Sequence, residues 1–125
     1  MYKYISKMPN DCWNTITIKG DEQQINNIYN HHLLNYINLE QNKLIKKGRK
    51  AIKVSIWNAW HPNYDLLNLL KDTYPTSWIK NEWSEEGGKS GIWIYNDIFN
   101  LKNKQVQEFM WNDMCLEEYH YLFDG

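Results

Sequence analysis

The middle of the chain, residues 51 to 96, changes its hydrophobic period twice. It begins with a strict alternation, which predicts a strand with β-branched residues on one face and Trp57 on the other. The predicted inward residues of this strand are Ile52, Val54 and Ile56. A helical spacing follows, beginning near Pro62 and ending at Pro75, because proline cannot continue a helix. The apolar residues of this predicted helix are Leu66, Leu67, Leu69, Leu70 and Tyr74.

Two further alternating runs close this part of the chain. They occupy residues 78 to 83 and 91 to 95, and the segment between them contains Gly87 and Gly88. Paired glycines between such runs predict a β-hairpin, because a tight turn requires positive φ. The predicted inward residues of the second run are Ile92 and Ile94.

The N-terminal half shows a similar succession. Residues 11 to 19 alternate as a strand, and the predicted inward residues are Asn14, Ile16 and Ile18. Asp21 with Gln24 three positions later is a capping box, which predicts the start of a helix. The apolar stripe of that helix consists of Ile25, Ile28, Tyr29, His32, Tyr36 and Ile37. Residues 42 to 47 form a weaker strand candidate.

The order strand, helix, strand, strand, helix, strand predicts an α+β fold of the ferredoxin-like, split βαβ type. In this arrangement both helices cover one face of an antiparallel sheet. We expect a single domain, residues 1–125, with a core at about 8–97 and a short helical C-terminal extension at about 98–125. A first short helix of the extension is predicted from Val106, Phe109 and Met110. A second is predicted from Leu116, Tyr119 and Phe123.

The amino-acid composition argues against several classes of protein, including general nucleic-acid binders and membrane proteins. The 125 residues carry a net charge of −1, which gives no general attraction to nucleic acid or to a membrane surface. The basic segment at residues 43 to 53 is expected to be a solvated hairpin tip, with a phosphate-binding patch as the alternative. Without a membrane-spanning or signal-like apolar run, we expect a cytoplasmic protein with no membrane partner. Cys12 and Cys115 are then expected to be free thiols.

Two segments resemble a known family. They are MPNDCWNTITIKG at residues 8 to 20, and Trp60-x-Pro62, a helix, Tyr74-Pro75 and Glu82-x-x-Glu85-x-Gly87-x-x-x-Gly91. In this order they are similar to the YubB-type ferredoxin-like domain of phage, virus and plasmid proteins. The resemblance covers the chain from about residue 8 to residue 96. It implies a ferredoxin-like fold and a setting in mobile genetic elements, and it carries over no active site.

The aromatic residues suggest a binding surface. If the isoleucines and valine face the helices, four aromatic side chains share the opposite face of the sheet: Trp13, Trp57, Trp93 and Tyr95. Three interpretations remain open for this face. It is covered by residues 1 to 4 or by Phe109, Trp111 and Tyr119; it binds a protein partner; or it stacks on nucleic acid.

The remaining groups of polar residues do not indicate a catalytic, metal or phosphate-binding site. The carboxylates Glu82, Glu85 and Glu86 with Asp97 are typical of a solvated hairpin rather than of a metal site. The four histidines and two cysteines lack the close spacing of a zinc site. Residues 87 to 90 follow no phosphate-loop spacing and precede no helix. We therefore expect no catalytic residue, no cofactor and no metal.

The sequence thus predicts a non-enzymatic binding protein of a phage or mobile element. Its most concrete form is a counter-defence inhibitor of the anti-CRISPR type, which contacts a host nuclease or its guide-RNA complex. The expected partner is a host protein or ribonucleoprotein, and homo-oligomer formation stays open. The candidate partner-binding residues are Trp13, Trp57, Trp93, Tyr95, Glu85, Glu86 and Lys89. The alternative is a single-stranded nucleic-acid or nucleotide binding module that uses the aromatic face.

Overall fold

A six-stranded antiparallel sheet organises the chain. The computed structural model describes residues 10–95 and 106–112. The strands are β1 (Asp11–Lys19), β2 (Lys43–Lys47), β3 (Ala51–Ala59), β4 (Trp78–Glu85), β5 (Lys89–Tyr95) and β6 (Val106–Asn112). Their order across the sheet is β2-β3-β1-β4-β5-β6. The predicted α+β class is confirmed.

Two helices pack on this sheet. The first comprises α1 (Glu22–Ile28), a π-helical stretch (Tyr29–Leu33) and α2 (Leu34–Ile37); the second is α3 (Tyr64–Thr73). The predicted capping box is confirmed, since Asp21 accepts from the backbone N–H of Gln24 and the Gln24 side chain accepts in return. Asn63 caps the second helix by accepting from the N–H of Leu66. Within the described residues, no helix is long and apolar enough to cross a membrane.

The core lies between both helices and one face of the sheet. Side chains alternate between buried and partly exposed along β1 and β3, which confirms the inward sets predicted for these two strands. The fully buried core residues of the two helices are Ile25, Ile28, Leu33, Leu67 and Leu70. They pack in one cluster with the buried isoleucines and Val54 of the sheet. Burial of this apolar surface is the main force that holds the helices on the sheet.

The predicted helical C-terminal extension is wrong in its first part. Val106, Phe109 and Met110 lie in a strand, β6, which pairs antiparallel with β5. The outer edge of β5 offers a row of backbone donors and acceptors, and pairing with this edge overrides a weak local helical pattern. The second predicted helix, with Leu116, Tyr119 and Phe123, lies outside the described residues.

Candidate binding surface

The face of the sheet that points away from the two helices is called the open face below. Directly paired residues of an antiparallel sheet share a face, so the register assigns each side chain to one side. On β1 and β3 the residues of the open face are Asp11, Trp13, Thr15, Thr17, Lys19, Ala51, Lys53, Ser55, Trp57 and Ala59. All of them are exposed or half-buried, whereas their neighbours along β1 and from residue 52 to 56 of β3 are buried. The open face is therefore the side of the sheet where aromatic and charged groups meet solvent.

Trp13 and Trp57 lie side by side on the neighbouring strands β1 and β3. They are direct partners in the register, and Trp13 keeps 43% of its surface exposed. Between them lies a shallow groove of about 260 Å³, which Asp11 and Gln41 also line. This groove is called the tryptophan groove. The sequence prediction that both tryptophans lie on the open face is confirmed.

Hydrogen bonds fix one wall of the tryptophan groove. The Nε1–H of Trp57 donates to Oδ1 of Asp11 over 2.7 Å. The backbone N–H of Trp57 donates to Oδ1 of Asn42 over 2.7 Å, and the Asn42 amide donates to the Tyr36 carbonyl at the end of the first helix. A ring held at its nitrogen and its backbone has little rotational freedom left to lose when a ligand stacks on it.

The charge of the open face differs from that of the whole chain. Among its described residues, five lysines stand against two carboxylates, although the chain as a whole has a net charge of −1. The lysines are Lys19, Lys43, Lys46, Lys53 and Lys80. The carboxylates are Asp11 and Glu82, and Glu82 pairs with Lys80 over 3.2 Å. The open face thus has an excess of positive charge that the total charge conceals.

The lysines concentrate at the end of the sheet opposite the tryptophan groove. Lys53 and Lys80 both pair with Thr17, and Lys46 lies opposite Lys53. The ammonium of Lys19 lies 4.9 Å from the ring centre of Trp78, a distance typical of a cation–π contact. This region, called the lysine end below, combines a half-buried indole with several ammonium groups.

The placement of Trp93 and Tyr95 corrects the sequence prediction. Both side chains are 2% exposed and lie in the core under the helices, where the Tyr95 hydroxyl donates to the Pro75 carbonyl over 2.7 Å. Their partners on β4 are Asn81 and Ile79, which are themselves buried. The pairing register therefore sends the two aromatic rings inward and places Ile92 and Ile94 on the open face. The predicted orientation of β5 is wrong by one residue.

The hairpin residues proposed as partner contacts lie beside the open face. Glu85 pairs with Cys12 and so belongs to the helix side, where it accepts from the Asn10 amide over 3.3 Å. Glu86 is exposed in the turn, and the turn is closed by Gly88 with a φ of 97°. Lys89 is exposed at the start of β5, on the helix side. The fold brings these three residues to the end of the sheet that carries the tryptophan groove, without adding them to the groove.

The position of β6 tests whether Phe109 covers the aromatic side chains of the open face. Phe109 lies on the open face opposite Ile92, three strands away from Thr15 and about 14 Å across the sheet. It is 55% exposed, so it does not cover the tryptophan groove. Residues 1 to 4, Tyr119 and the side chain of Trp111 lie outside the part of the chain that the structure describes.

Cys12 is a buried free thiol on the helix side of β1. Burial, with a smaller contribution from the nearby Glu85 carboxylate, raises the pKa of Cys12 to about 11. A thiol with so high a pKa stays protonated near neutral pH and is a poor nucleophile, since the thiolate is the reactive form. Cys12 therefore acts as a small apolar core residue.

Several residues of this surface were not singled out from the sequence. Asp11 and Gln41 reach the tryptophan groove, and Trp78 and Lys80 reach the lysine end. The signal for Asp11, Trp78 and Lys80 is the period-two alternation, which places them on the face of Trp13 once the pairing of β1 with β4 is known. Gln41 lies in the loop before β2, and no periodic pattern indicates its position.

Comparison of the chain with protein-family models, with curated proteins and with solved structures finds no match.

Proposed function

We propose that this protein binds single-stranded nucleic acid on the open face of a ferredoxin-like sheet. The strand order β2-β3-β1-β4, with one helix after β1 and one after β3, supports the ferredoxin-like topology. In this topology β1 and β3 are the central strands of the four, and they carry Trp13 and Trp57. Strands β5 and β6 then extend the sheet beyond β4.

The observation that carries the proposal is the shared location of tryptophans and lysines. Indole rings stack on nucleic-acid bases, which all present a π-face, and lysines neutralise backbone phosphates. The row that holds Thr17, Lys53 and Lys80 lies four residues along β1 from Trp13, or about 13 Å. A strand whose base stacks at the tryptophan groove can therefore reach the lysine end with its neighbouring phosphates. Unpaired bases are required, because the rings of a duplex are already stacked.

Binding of a labelled single strand of about ten nucleotides, followed by fluorescence anisotropy over a salt series, tests the proposal. We expect affinity to fall as salt rises, with a slope of log K against log salt of about −0.7 for each phosphate contact. The Trp13→Ala variant is expected to lose about 1–3 kcal/mol of binding free energy, the range for one stacked base. The Lys53→Gln variant should weaken all sequences alike and reduce the salt slope by one contact.

Lys71→Gln provides the matched control. Lys71 lies on the second helix, away from the open face, and pairs with Asp72 over 3.4 Å. This variant should bind like the wild-type protein. Affinity that is independent of salt, or unchanged in both Trp13→Ala and Lys53→Gln, rejects the proposal.

A second candidate is the protein contact implied by the family resemblance, a counter-defence inhibitor of a host nuclease or its guide-RNA complex. The observation that favours it is an apolar strip on the open face, formed by Ile92, Ile94 and Phe109. Exposed apolar residues beside a polar surface are typical of protein interfaces. Inhibition of DNA cleavage by a purified RNA-guided nuclease of the host tests it. Inhibition that is lost in Phe109→Ser, retained in Trp13→Ala and insensitive to salt supports this candidate over the first.

A further inference from the structure

The tryptophan groove places two polar side chains, those of Asp11 and Gln41, beside its rings. A carboxylate accepts up to four hydrogen bonds, and the Nε1–H of Trp57 occupies one position on Oδ1 of Asp11. The other positions of this carboxylate remain acceptors. Gln41 adds an amide group, which offers two N–H donors and one carbonyl acceptor. The groove therefore combines a stacking surface with a pair of acceptors and one donor group.

This combination is selective among the four bases. The Watson–Crick edge of guanine presents, in order, two adjacent donors, N2–H and N1–H, and then the O6 acceptor. Two parallel N–H groups match the two oxygens of a carboxylate, which is the geometry of bidentate recognition. An amide N–H of Gln41 then has O6 as its acceptor.

The other three bases fit the carboxylate less well. Adenine and cytosine place a ring-nitrogen acceptor beside their amino donor, and uracil or thymine flanks its single N–H with two carbonyls. Each of these bases brings a lone pair against a carboxylate oxygen, which is repulsive in a partly desolvated site. The groove volume of about 260 Å³ is below the range typical of drug-sized ligands and suits one base.

We propose that the tryptophan groove takes a single guanine base, with Asp11 reading N1–H and N2–H and Gln41 reading O6. For a guanine within a strand, this inference rests on the proposed function. The same contacts would also bind a free guanine nucleotide. It names the base that the open face selects, whereas the lysine end contacts phosphate without regard to sequence.

A set of thymidine strands that differ at one central position tests the inference. The central residue is thymine, cytosine, adenine, guanine or hypoxanthine, and guanosine monophosphate is measured separately. We expect the guanine strand to bind roughly 5- to 150-fold more tightly than the thymine strand, the range for one bidentate base contact. Hypoxanthine lacks the N2 amino group and should fall between these two.

The Asp11→Asn variant separates base reading from folding. Its side-chain oxygen still accepts from Trp57 Nε1–H, but its second oxygen is replaced by a donor that opposes the guanine N–H groups. The guanine preference is expected to disappear, and the thymine strand should bind at least as tightly as before, because its carbonyls no longer face a carboxylate. Glu82→Gln is the matched control, because it neutralises the other open-face carboxylate, and it should keep the preference.

Each outcome decides one of the two proposals. Equal binding of all strands by the wild-type protein, or a guanine preference that persists in Asp11→Asn, overturns the inference and leaves strand binding intact. Binding of guanosine monophosphate alone, lost in Asp11→Asn, supports the guanine groove and overturns strand binding. Absence of binding to every strand and to the nucleotide overturns both.

Discussion

The Nδ2 amide of Asn81 donates a 2.9 Å hydrogen bond to Oδ1 of Asn14, and both side chains are fully buried beneath the helices. The same oxygen accepts from the backbone N–H of Asn63, over 3.2 Å, at the start of the second helix. The Asn14 amide in turn donates to the Ile56 carbonyl over 3.0 Å. One polar side chain thus connects three strands and a helix start within an otherwise apolar core. Because a buried polar group must keep its partners, this network specifies how the helix sits on the sheet.

Replacing Asn14 with alanine is expected to be strongly destabilising. The change leaves the buried amide of Asn81 and the N–H of Asn63 without their acceptor, and each such group costs about 1–3 kcal/mol. We expect the free energy of unfolding to fall by about 3 kcal/mol or more, measured by urea denaturation. Asn68→Ala is the control, because Asn68 is exposed in the middle of the second helix. There the same change should have an effect within about 0.7 kcal/mol, and in the stabilising direction.

Gly91 is required for the close approach of β6 and Trp83. A Cβ at this position would lie 2.6 Å from the Phe109 carbonyl oxygen and 2.7 Å from the Trp83 ring. Gly91→Ala is therefore expected to lower the free energy of unfolding by about 1–3 kcal/mol. At Gly48 the nearest atom to an added Cβ is 3.8 Å away, so Gly48→Ala should leave stability unchanged or raise it by up to about 1 kcal/mol. Equal stabilities of the two variants in urea would contradict the pairing of β6 with β5.

The buried thiol of Cys12 is expected to make the folded protein less stable in mild alkali. Its pKa rises from 9.0 in the unfolded chain to about 11 in the fold, mainly through burial. Below pH 9 both states keep the proton; between pH 9 and 11 only the unfolded state releases it. The free energy of unfolding should then fall by up to about 1.4 kcal/mol per pH unit. Cys12→Ala should begin from a lower stability but lose this slope, as urea titrations from pH 8 to about pH 9.5 will show. Limiting the range in this way keeps most of each tyrosine protonated, so the tyrosines leave only a small slope in the variant, and an undiminished slope in Cys12→Ala would contradict the assignment.

Trp60 occupies a backbone conformation that favours glycine. Its φ is 75°, the N–H of His61 bonds the Ala59 carbonyl over 2.9 Å across it, and the indole is 52% exposed. Such a γ-turn is strained for any residue with a Cβ. Trp60→Gly should therefore be about 1 kcal/mol more stable than Trp60→Ala, although both lose the indole. At the neighbouring Ala59 the order should reverse, with Ala59→Gly less stable than the wild-type protein in the same denaturation assay.

Local patterns predicted most of the elements correctly. The alternation of Ile16 and Ile18, and of Ile52, Val54 and Ile56, places β1 and β3 with the right face inward, because a strand with one apolar face has only one favourable orientation. The capping box at Asp21 locates the first helix for a similarly local reason. These features require only neighbouring residues, so they are visible in the sequence.

Local patterns predicted the wrong result for β5 and β6, because in these segments the alternative arrangements bury apolar residues equally well. In β5 the isoleucines and the aromatic residues alternate, so hydrophobicity alone does not choose between the faces. The register with β4 makes the choice, and it buries Trp93 and Tyr95. The β6 segment was likewise decided by the free edge of β5.

The sequence by itself determined the α+β class, the inward faces of β1 and β3, and the outward positions of Trp13 and Trp57. Only the tertiary structure decided that Asp11 and Gln41 join these tryptophans in one groove and that five lysines share the same face. The physical reason is the range of each interaction. Periodicity acts over a few residues of one strand, whereas a groove or a charged surface depends on the pairing of strands distant along the chain.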